Sequence, residues 1–348
     1  MSRKQVSVIA ITCVIVCVFA VLAIFVLKGI ENGTVSFTRA QKTNKLVSDL
    51  TAANKSVASG KWSEGKITYD GETYVYNKYI KNYLIMGVDK SGKVEKASDY
   101  VSGGQSDAMF LLVTDDLNKC VSVIPINRNT MTPIRLCDAN GNYYGTFNAQ
   151  ICLQHGYGDG MRGSCEKTVE AVSTLFYDVP IAGYIAMNMD GMKILNHAAG
   201  GVTVTVLEDL DNDGMGVHLK KGETVRLTDD EAYVYLRYRD TADFGSASMR
   251  LEREEQYSLA LYDALKQKVN GDADAAVDIY DSLSDYIVSN LIFSEIAERL
   301  INYGFDESRM FDVDGELKQG EKFEEFYVDK ESLYGIIIQT MYTRSEGK

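Results

Sequence analysis

Tyr83-Leu84-Ile85-Met86-Gly87-Val88 is an almost unbroken apolar run closed by Asp89. Two more runs of this kind follow: Ala108-Met109-Phe110-Leu111-Leu112-Val113-Thr114 and Cys120-Val121-Ser122-Val123-Ile124-Pro125-Ile126. Each has strand length and strand composition, and each reads as a buried strand. The polar stretch Asp115-Asp116-Leu117-Asn118-Lys119 joins the second run to the third as a hairpin. Helical signals come next. Ser164 is placed to cap a helix through Val169, Val172, Leu175 and Phe176, and Asp190 one through Ile194 and Leu195 that stops at Gly200-Gly201. Val202-Thr203-Val204-Thr205-Val206 is a further strand. Thr228-x-x-Glu231 is a capping box, which starts a helix running to about Tyr238. Helical patterns also cover about 248–269, 284–303 and 331–342. Strands and helices interleave without a strict βαβ rhythm. The expected fold is α/β, a three-layer α/β/α sandwich with a mixed central sheet.

Residues Val6 to Leu27 form a long apolar run without charge. At about 1.5 Å per residue it reaches roughly 33 Å, enough for a hydrocarbon core of about 30 Å. Arg3 and Lys4 precede it, whereas Lys28 and Glu31 cancel after it, so the N-terminus is expected inside and the bulk of the chain outside. A cleaved signal peptide is the competing reading. The run is long for one and lacks a clear small-x-small cleavage site. The expected organisation is a cytoplasmic N-terminus over 1–5, a transmembrane signal anchor over 6–27, an extracytoplasmic stalk over 28–66 and one large domain over 67–345.

The 348 residues carry a net charge of −13, with 45% hydrophobic and 24% charged residues. That acidity argues against nonspecific binding to nucleic acid or to anionic lipid surfaces. Cys13 and Cys17 fall in the apolar run. Cys120, Cys137, Cys152 and Cys165 would lie outside, where three disulfide pairings are open. No CxxC spacing occurs and the three histidines are scattered, so a zinc site is not expected.

Against the overall charge, Arg237, Arg239, Arg250 and Arg253 crowd into a short stretch. Guanidinium groups bind phosphate oxygens through paired donors, so an anionic ligand is one reading. Arg237 and Arg239 do not share a helix face and converge only if the helix unwinds after them. Arg250 and Arg253 share a face near a helix start. Local ion pairing, Arg250 with Glu254 or Arg237 with Asp240 or Glu231, is the other reading. Asp89 and Asp107 border neighbouring strands, where carboxylates commonly hold a hard cation, though two aspartates on their own are a weak metal signal and read first as loop or turn residues. Arg128, in Ile126-Asn127-Arg128-Asn129-Thr130, follows the third strand and can reach the same sheet edge. The glycine-rich Gly156-Tyr157-Gly158-Asp159-Gly160 follows no strand and reads as a turn.

In order, Gly87-Val88-Asp89, Ser106-Asp107-Ala108-Met109, Ile126-Asn127-Arg128-Asn129-Thr130, Ala149-Gln150 to Gly160, Gly200-Gly201-Val202, Arg237-Tyr238-Arg239 and Arg250-x-x-Arg253 resemble the LytR-CpsA-Psr family. Tyr69-Asp70-Gly71-Glu72-Thr73-Tyr74 looks like its lead-in. The resemblance covers roughly 65–345. It implies a membrane-anchored extracytoplasmic phosphotransferase of Gram-positive envelopes. Such an enzyme moves a glycopolymer (teichoic acid or capsule) from a polyprenyl-pyrophosphate carrier to peptidoglycan, and its fold provides an apolar channel for the prenyl tail. Arg128, Arg237, Arg239, Arg250 and Arg253 become pyrophosphate ligands, the first three also catalytic. Asp89 and Asp107 become ligands of Mg²⁺ (or Mn²⁺), directly or through water. Three positions depart from the family pattern. Asn129 stands where the family has an aspartate. Gly245-Ser246-Ala247-Ser248 stands where an acidic residue is usual, and Glu254 replaces a glutamine. These departures keep two alternatives open: a binder of polyprenyl-linked glycopolymer without transfer, or a pyrophosphate hydrolase on the same scaffold.

Overall fold

The computed structural model describes residues 66–99, 102–238, 275–291, 309–320 and 323–345, residue 303, and residues 252, 253, 256, 257, 260, 261, 263–265, 267 and 268. In chain order the strands are β1 Lys66–Tyr69, β2 Glu72–Tyr76, β3 Ile80–Val88, β4 Ser106–Asp115, β5 Cys120–Ile126, β6 Met131–Cys137, β7 Tyr143–Gln150, β8 Gly183–Asn188, β9 Val202–Thr205, β10 Leu210–Asn212, β11 Val217–Leu219, β12 Thr224–Leu227, β13 Ile287–Ser289, β14 Gly315–Gln319, β15 Glu324–Val328 and β16 Tyr342–Arg344. The described residues fall into two compact units. The sheet unit holds 66–188, 287–291, 303 and 309–345, and the inserted unit holds 189–286.

The sheet unit is built on a five-stranded mixed sheet of order β13-β8-β3-β4-β5. β3 runs antiparallel to β4 and parallel to β8, and β4 runs antiparallel to β5. The three apolar runs therefore form three neighbouring strands, as expected. Asp115 Oδ1 accepts hydrogen bonds from the Leu117 and Asn118 backbone N–H groups at 2.8 and 3.0 Å, which closes the β4–β5 turn. β5 is the edge strand, so Pro125 costs the ladder little.

One face of the sheet presents Leu84, Met86, Met109, Leu111 and Ile124. They pack with Val169, Val172 and Phe176 and with Leu333, Ile337 and Met341. Those partners come from the helices Arg162–Leu175 and Lys330–Met341 and the residue after the first. The residues of opposite parity, Tyr83, Ile85, Phe110, Leu112 and Val123, are buried as well. Burial of both parities is why the runs are continuous rather than alternating. Each fully buried Leu or Met contributes about 1.5–3 kcal/mol.

Helix starts follow local chemistry, with one change of residue. Ser164 is not the cap of its helix; it lies within the first turn, and its Oγ accepts from the Gly160 N–H at 2.8 Å. Asp159 does the capping. Its carboxylate accepts from the N–H groups of Met161, Gly163 and Ser164 at 2.9, 3.1 and 2.8 Å. The glycine-rich turn makes this possible: Gly160 takes φ +69°, and a Cβ on Gly158 would lie 2.4 Å from Ser164 Oγ. Burial alone would raise the Asp159 carboxyl, but the three N–H donors outweigh it and hold its pKa below the ordinary aspartate range. Its contribution to stability is therefore present above that range and is lost as pH falls through the depressed value. Asp159→Ala is expected to cost about 1–2 kcal/mol at neutral pH, and less in acid, in urea unfolding.

In the inserted unit the helix Gly191–Ala198 follows Asp190 as expected, and Gly200 and Gly201 end it with φ +78° and +87°. Asp190 makes no side-chain cap bond there. The capping box is complete: Glu231 Oε2 accepts from the Thr228 N–H at 2.7 Å, and the Thr228 side chain accepts from the Glu231 N–H. It opens the helix Asp229–Arg237. The described residues between 252 and 268 are helical. Of the helix expected over about 284–303, only 284–291 and 303 are described: after the helix Ala275–Leu283, Ser284–Tyr286 forms a single tight turn and residues 287–289 pair antiparallel with β8 as strand β13, while 292–302 lie outside the described residues. Among the described residues no helix is long and apolar enough to cross a membrane. Residues 1–65, and so the apolar run 6–27, lie outside the described residues.

Candidate anion site at the sheet edge

β3 ends, β4 begins and β5 ends at one edge of the sheet, which brings Asp89, Asp107 and Arg128 together. The ladder pairs Gly87 with Ala108 and Val88 with Ser106, skipping Asp107. This register slip leaves Asp107 unopposed and re-aims its side chain, as bulges do beside functional sites. Asp107 Oδ1 lies 3.1 Å from Arg128 Nη2. The same Nη2 donates to Gln105 Oε1 at 2.6 Å and to Cys152 Sγ at 3.5 Å. Backbone bonds lace these residues: Asp89 N–H to the Gln105 carbonyl (2.8 Å), Ser106 N–H to the Cys152 carbonyl (3.0 Å) and Cys152 N–H to the Arg128 carbonyl (3.2 Å). Gly104, at φ +80°, lets the chain pass so close that a Cβ there would lie 2.8 Å from Val88 Cγ1.

Burial works against the Arg128 charge, yet the Cys152 sulfur, Asp107 and Asp89 outweigh it, and its pKa stands above its usual value. Burial also raises the Cys152 thiol while Arg128 pulls the other way, so Cys152 is a neutral thiol at neutral pH. No disulfide joins Cys120, Cys137, Cys152 and Cys165 to one another, so the open question of pairing ends with none among these four. Arg128 Nε is buried and has no hydrogen-bond partner among the described residues. The guanidinium therefore keeps donor capacity for an incoming acceptor.

Two carboxylates and one guanidinium sum to −1, an unfavourable charge for an anion. A divalent cation on Asp89 and Asp107 would reverse the sign. Mg²⁺ suits such a donor set, because it keeps several waters and uses one or two carboxylates together with substrate phosphates. Among the described residues no group of three or more His, Cys, Asp or Glu side chains could cage a metal. The donor set thus fits a cation shared with a phosphate ligand rather than a closed protein site.

The arginines of the inserted unit divide. Arg237 is in the last turn of its helix, half-buried, with Nη1 3.8 Å from Met189 Sδ. Arg239 and Arg250 lie outside the described residues, as do Gly245 and Glu254. Arg253 is fully buried. Its Nη1 binds Glu208 Oε1 at 2.7 Å, its Nη2 donates to the Tyr238 carbonyl, and the Tyr235 and Tyr238 rings lie 5.9 and 5.8 Å from it. The sequence places Arg253 on a ligand. In the structure two of its nitrogens meet protein acceptors, Glu208 and the carbonyl of Tyr238, beside the backbone just after Arg237. Gln105 and Cys152 are the site neighbours that sequence reading missed. Only the glycines before Gln105 hint at the first, and nothing local marks the second.

The LytR_cpsA_psr family matches residues 36–332. The polyisoprenyl-teichoic acid–peptidoglycan teichoic acid transferase TagV of Bacillus subtilis (strain 168) is 28% identical over 240 residues, 65% of this chain and 54% of that protein. The transferase of the same description named TagU, from Bacillus cereus (strain AH820), is 32% identical over 165 residues, 47% and 46% of the two chains. The chain thus spans about half the length of these curated relatives. The crystal structure of B. subtilis TagV shares the fold with a TM-score of 0.52 at 22% identity, covering 76% of this chain and 96% of that one. With the match running over most of its length, from the stretch before β1 to the helix after β15, this chain belongs to the LytR_cpsA_psr family.

Proposed function

We propose that this chain is a glycopolymer–peptidoglycan phosphotransferase, taking a glycopolymer from a polyprenyl-pyrophosphate carrier and joining it to peptidoglycan. Family membership supports the reaction class, and one observation carries it to a site: Arg128, held against Asp107 and Gln105 at a sheet edge that Asp89 also borders. In this reading a peptidoglycan hydroxyl attacks the phosphorus that bears the glycan. One P–O bond forms as the hydroxyl O–H bond breaks, the pyrophosphate P–O bond breaks, and prenyl phosphate leaves carrying the proton the hydroxyl gave up. Such a reaction asks the protein mainly for positioning and charge neutralisation. Arg128 offers its guanidinium to the pyrophosphate oxygens, and Gln105 and Asp107 hold it in place. Arg237, Arg239 and Arg250 are proposed as further head-group ligands from the family motif. Arg253 is assigned a positioning role.

Asp89 and Asp107 would hold Mg²⁺ or Mn²⁺, which when bound neutralises phosphate charge. The wider organisation belongs to the same reading: residues 6–27 as a single-pass anchor, the N-terminus in the cytoplasm, the domain outside, and helices on both sheet faces as a three-layer sandwich. The acidic chain needs no nucleic-acid partner. To test the function, the full chain is mixed with lipid-linked glycopolymer, Mg²⁺ and a peptidoglycan oligomer. Polymer-bearing peptidoglycan is the expected product. Binding without product would overturn the transferase reading, and free polymer phosphate would make the chain a hydrolase.

A further inference from the structure

Asn129, one residue beyond Arg128, ties the Arg128 loop to two distant elements. Gln150 Nε2, at the end of β7, donates to Asn129 Oδ1 at 3.0 Å and to the backbone carbonyl of Glu324 at 2.7 Å. Asn129 Nδ2 faces Glu324 Oε2 across a long 3.5 Å contact. The backbone joins the same elements: the Phe326 N–H donates to the Asn129 carbonyl at 2.9 Å, and Thr130 bridges Phe326 in parallel. The β14–β15 hairpin is thus stitched to the loop that carries Arg128 over two consecutive residues. From the other side the Cys152 N–H holds the Arg128 carbonyl.

The polarity of residue 129 follows from its two neighbours. An amide presents an acceptor to Gln150 and a donor to Glu324. A carboxylate there would keep the first contact and set like charges against each other at the second. We propose that Asn129 and Glu324 form a polarity-matched latch that positions Arg128 for its anion. Asn129 is a positioning residue in this arrangement. The latch rests on the reading of Arg128 as an anion ligand.

The test uses the full chain and four variants: Asn129→Asp, Glu324→Gln, both together, and Arg128→Ala. Affinity for inorganic pyrophosphate with Mg²⁺ is measured by titration calorimetry, alongside the melting temperature of each protein. Arg128→Ala is expected to lose at least about tenfold in affinity, the size of one charge-assisted contact. Asn129→Asp is expected to weaken binding about fivefold relative to the parent, as for an exposed like-charge pair, and to lose most of that deficit at high salt. Glu324→Gln alone stays within about twofold, because the amide of Asn129 can still donate to a glutamine oxygen. The double variant recovers, because the amide introduced at position 324 would donate to the carboxylate introduced at position 129, with the polarity reversed. Parental affinity in Asn129→Asp, or no recovery in the double variant, overturns the latch. A lowered melting temperature with unchanged affinity also overturns it, since the contact would then only anchor the hairpin. Normal binding by Arg128→Ala instead overturns the anion reading of Arg128, and the latch falls with it.

Discussion

Arg128→Ala is expected to reduce glycopolymer transfer by about a hundredfold to a thousandfold, as removal of one preorganised charge donor does elsewhere. The expectation rests on how the side chain is held. Nη2 meets Gln105, Asp107 and Cys152, while the buried Nε has no partner among the described residues. The arginine is fixed in place with donors to spare. Arg128→Lys is expected to recover only part of the loss, since a point charge cannot offer the planar fork. The effect depends on metal. With Asp89 and Asp107 beside it, the edge carries −1, and chelation of divalent cations is expected to abolish pyrophosphate binding in the parent. Asp107→Asn is expected to bind pyrophosphate less dependently on Mg²⁺ than the parent, because one of the charges requiring compensation is gone. Calorimetric titration with and without Mg²⁺ reads both results. Tight binding in the presence of chelator would remove the cation from the scheme.

Arg253→Met is expected to have the largest effect on stability, about 3 kcal/mol, read as a shift in the urea midpoint of the inserted unit. Arg253 is fully buried, and its partner Glu208 is 26% exposed at the side chain. Deleting the cation leaves a largely buried carboxylate and the Tyr238 carbonyl without their donor, which is costlier than never having had the pair. The double change Arg253→Met with Glu208→Leu is expected to regain much of the loss, since both charges are then gone. Because Tyr238 follows Arg237 directly, the single variant also loosens the backbone beside a proposed head-group ligand. A variant as stable as the parent would show that Arg253 is not committed to this contact.

The legible parts of this protein were those set by neighbours in sequence. The runs at 83–88, 108–114 and 120–126 read as strands because each is apolar, strand-length and bounded by polar residues, and a five-residue connector leaves two of them little choice but a hairpin. Thr228 and Glu231 are three residues apart, so their reciprocal cap is visible in the chain itself. The family motifs, spread in order along the chain, were enough to carry Asp89, Asp107 and Arg128 to one edge. Ser164 misled because a serine before an apolar helical pattern looks like a cap, whereas Asp159 reaches the same N–H groups through a glycine turn.

Tertiary structure decided what depends on distant pairing. Strand β8 lies parallel to β3 although about a hundred residues separate them, and 287–289 became an edge strand because β8 offered an open ladder. Arg253 gained protein partners that its local sequence does not announce, Glu208 and the carbonyl of Tyr238. Asn129 changed meaning once Glu324, 195 positions away, was found across from it. Periodicity, capping and turns act through a few bonds of backbone, so the chain announces them. Burial, charge pairing and the aim of a side chain depend on which remote segment arrives beside it, and that is known only when the chain has folded.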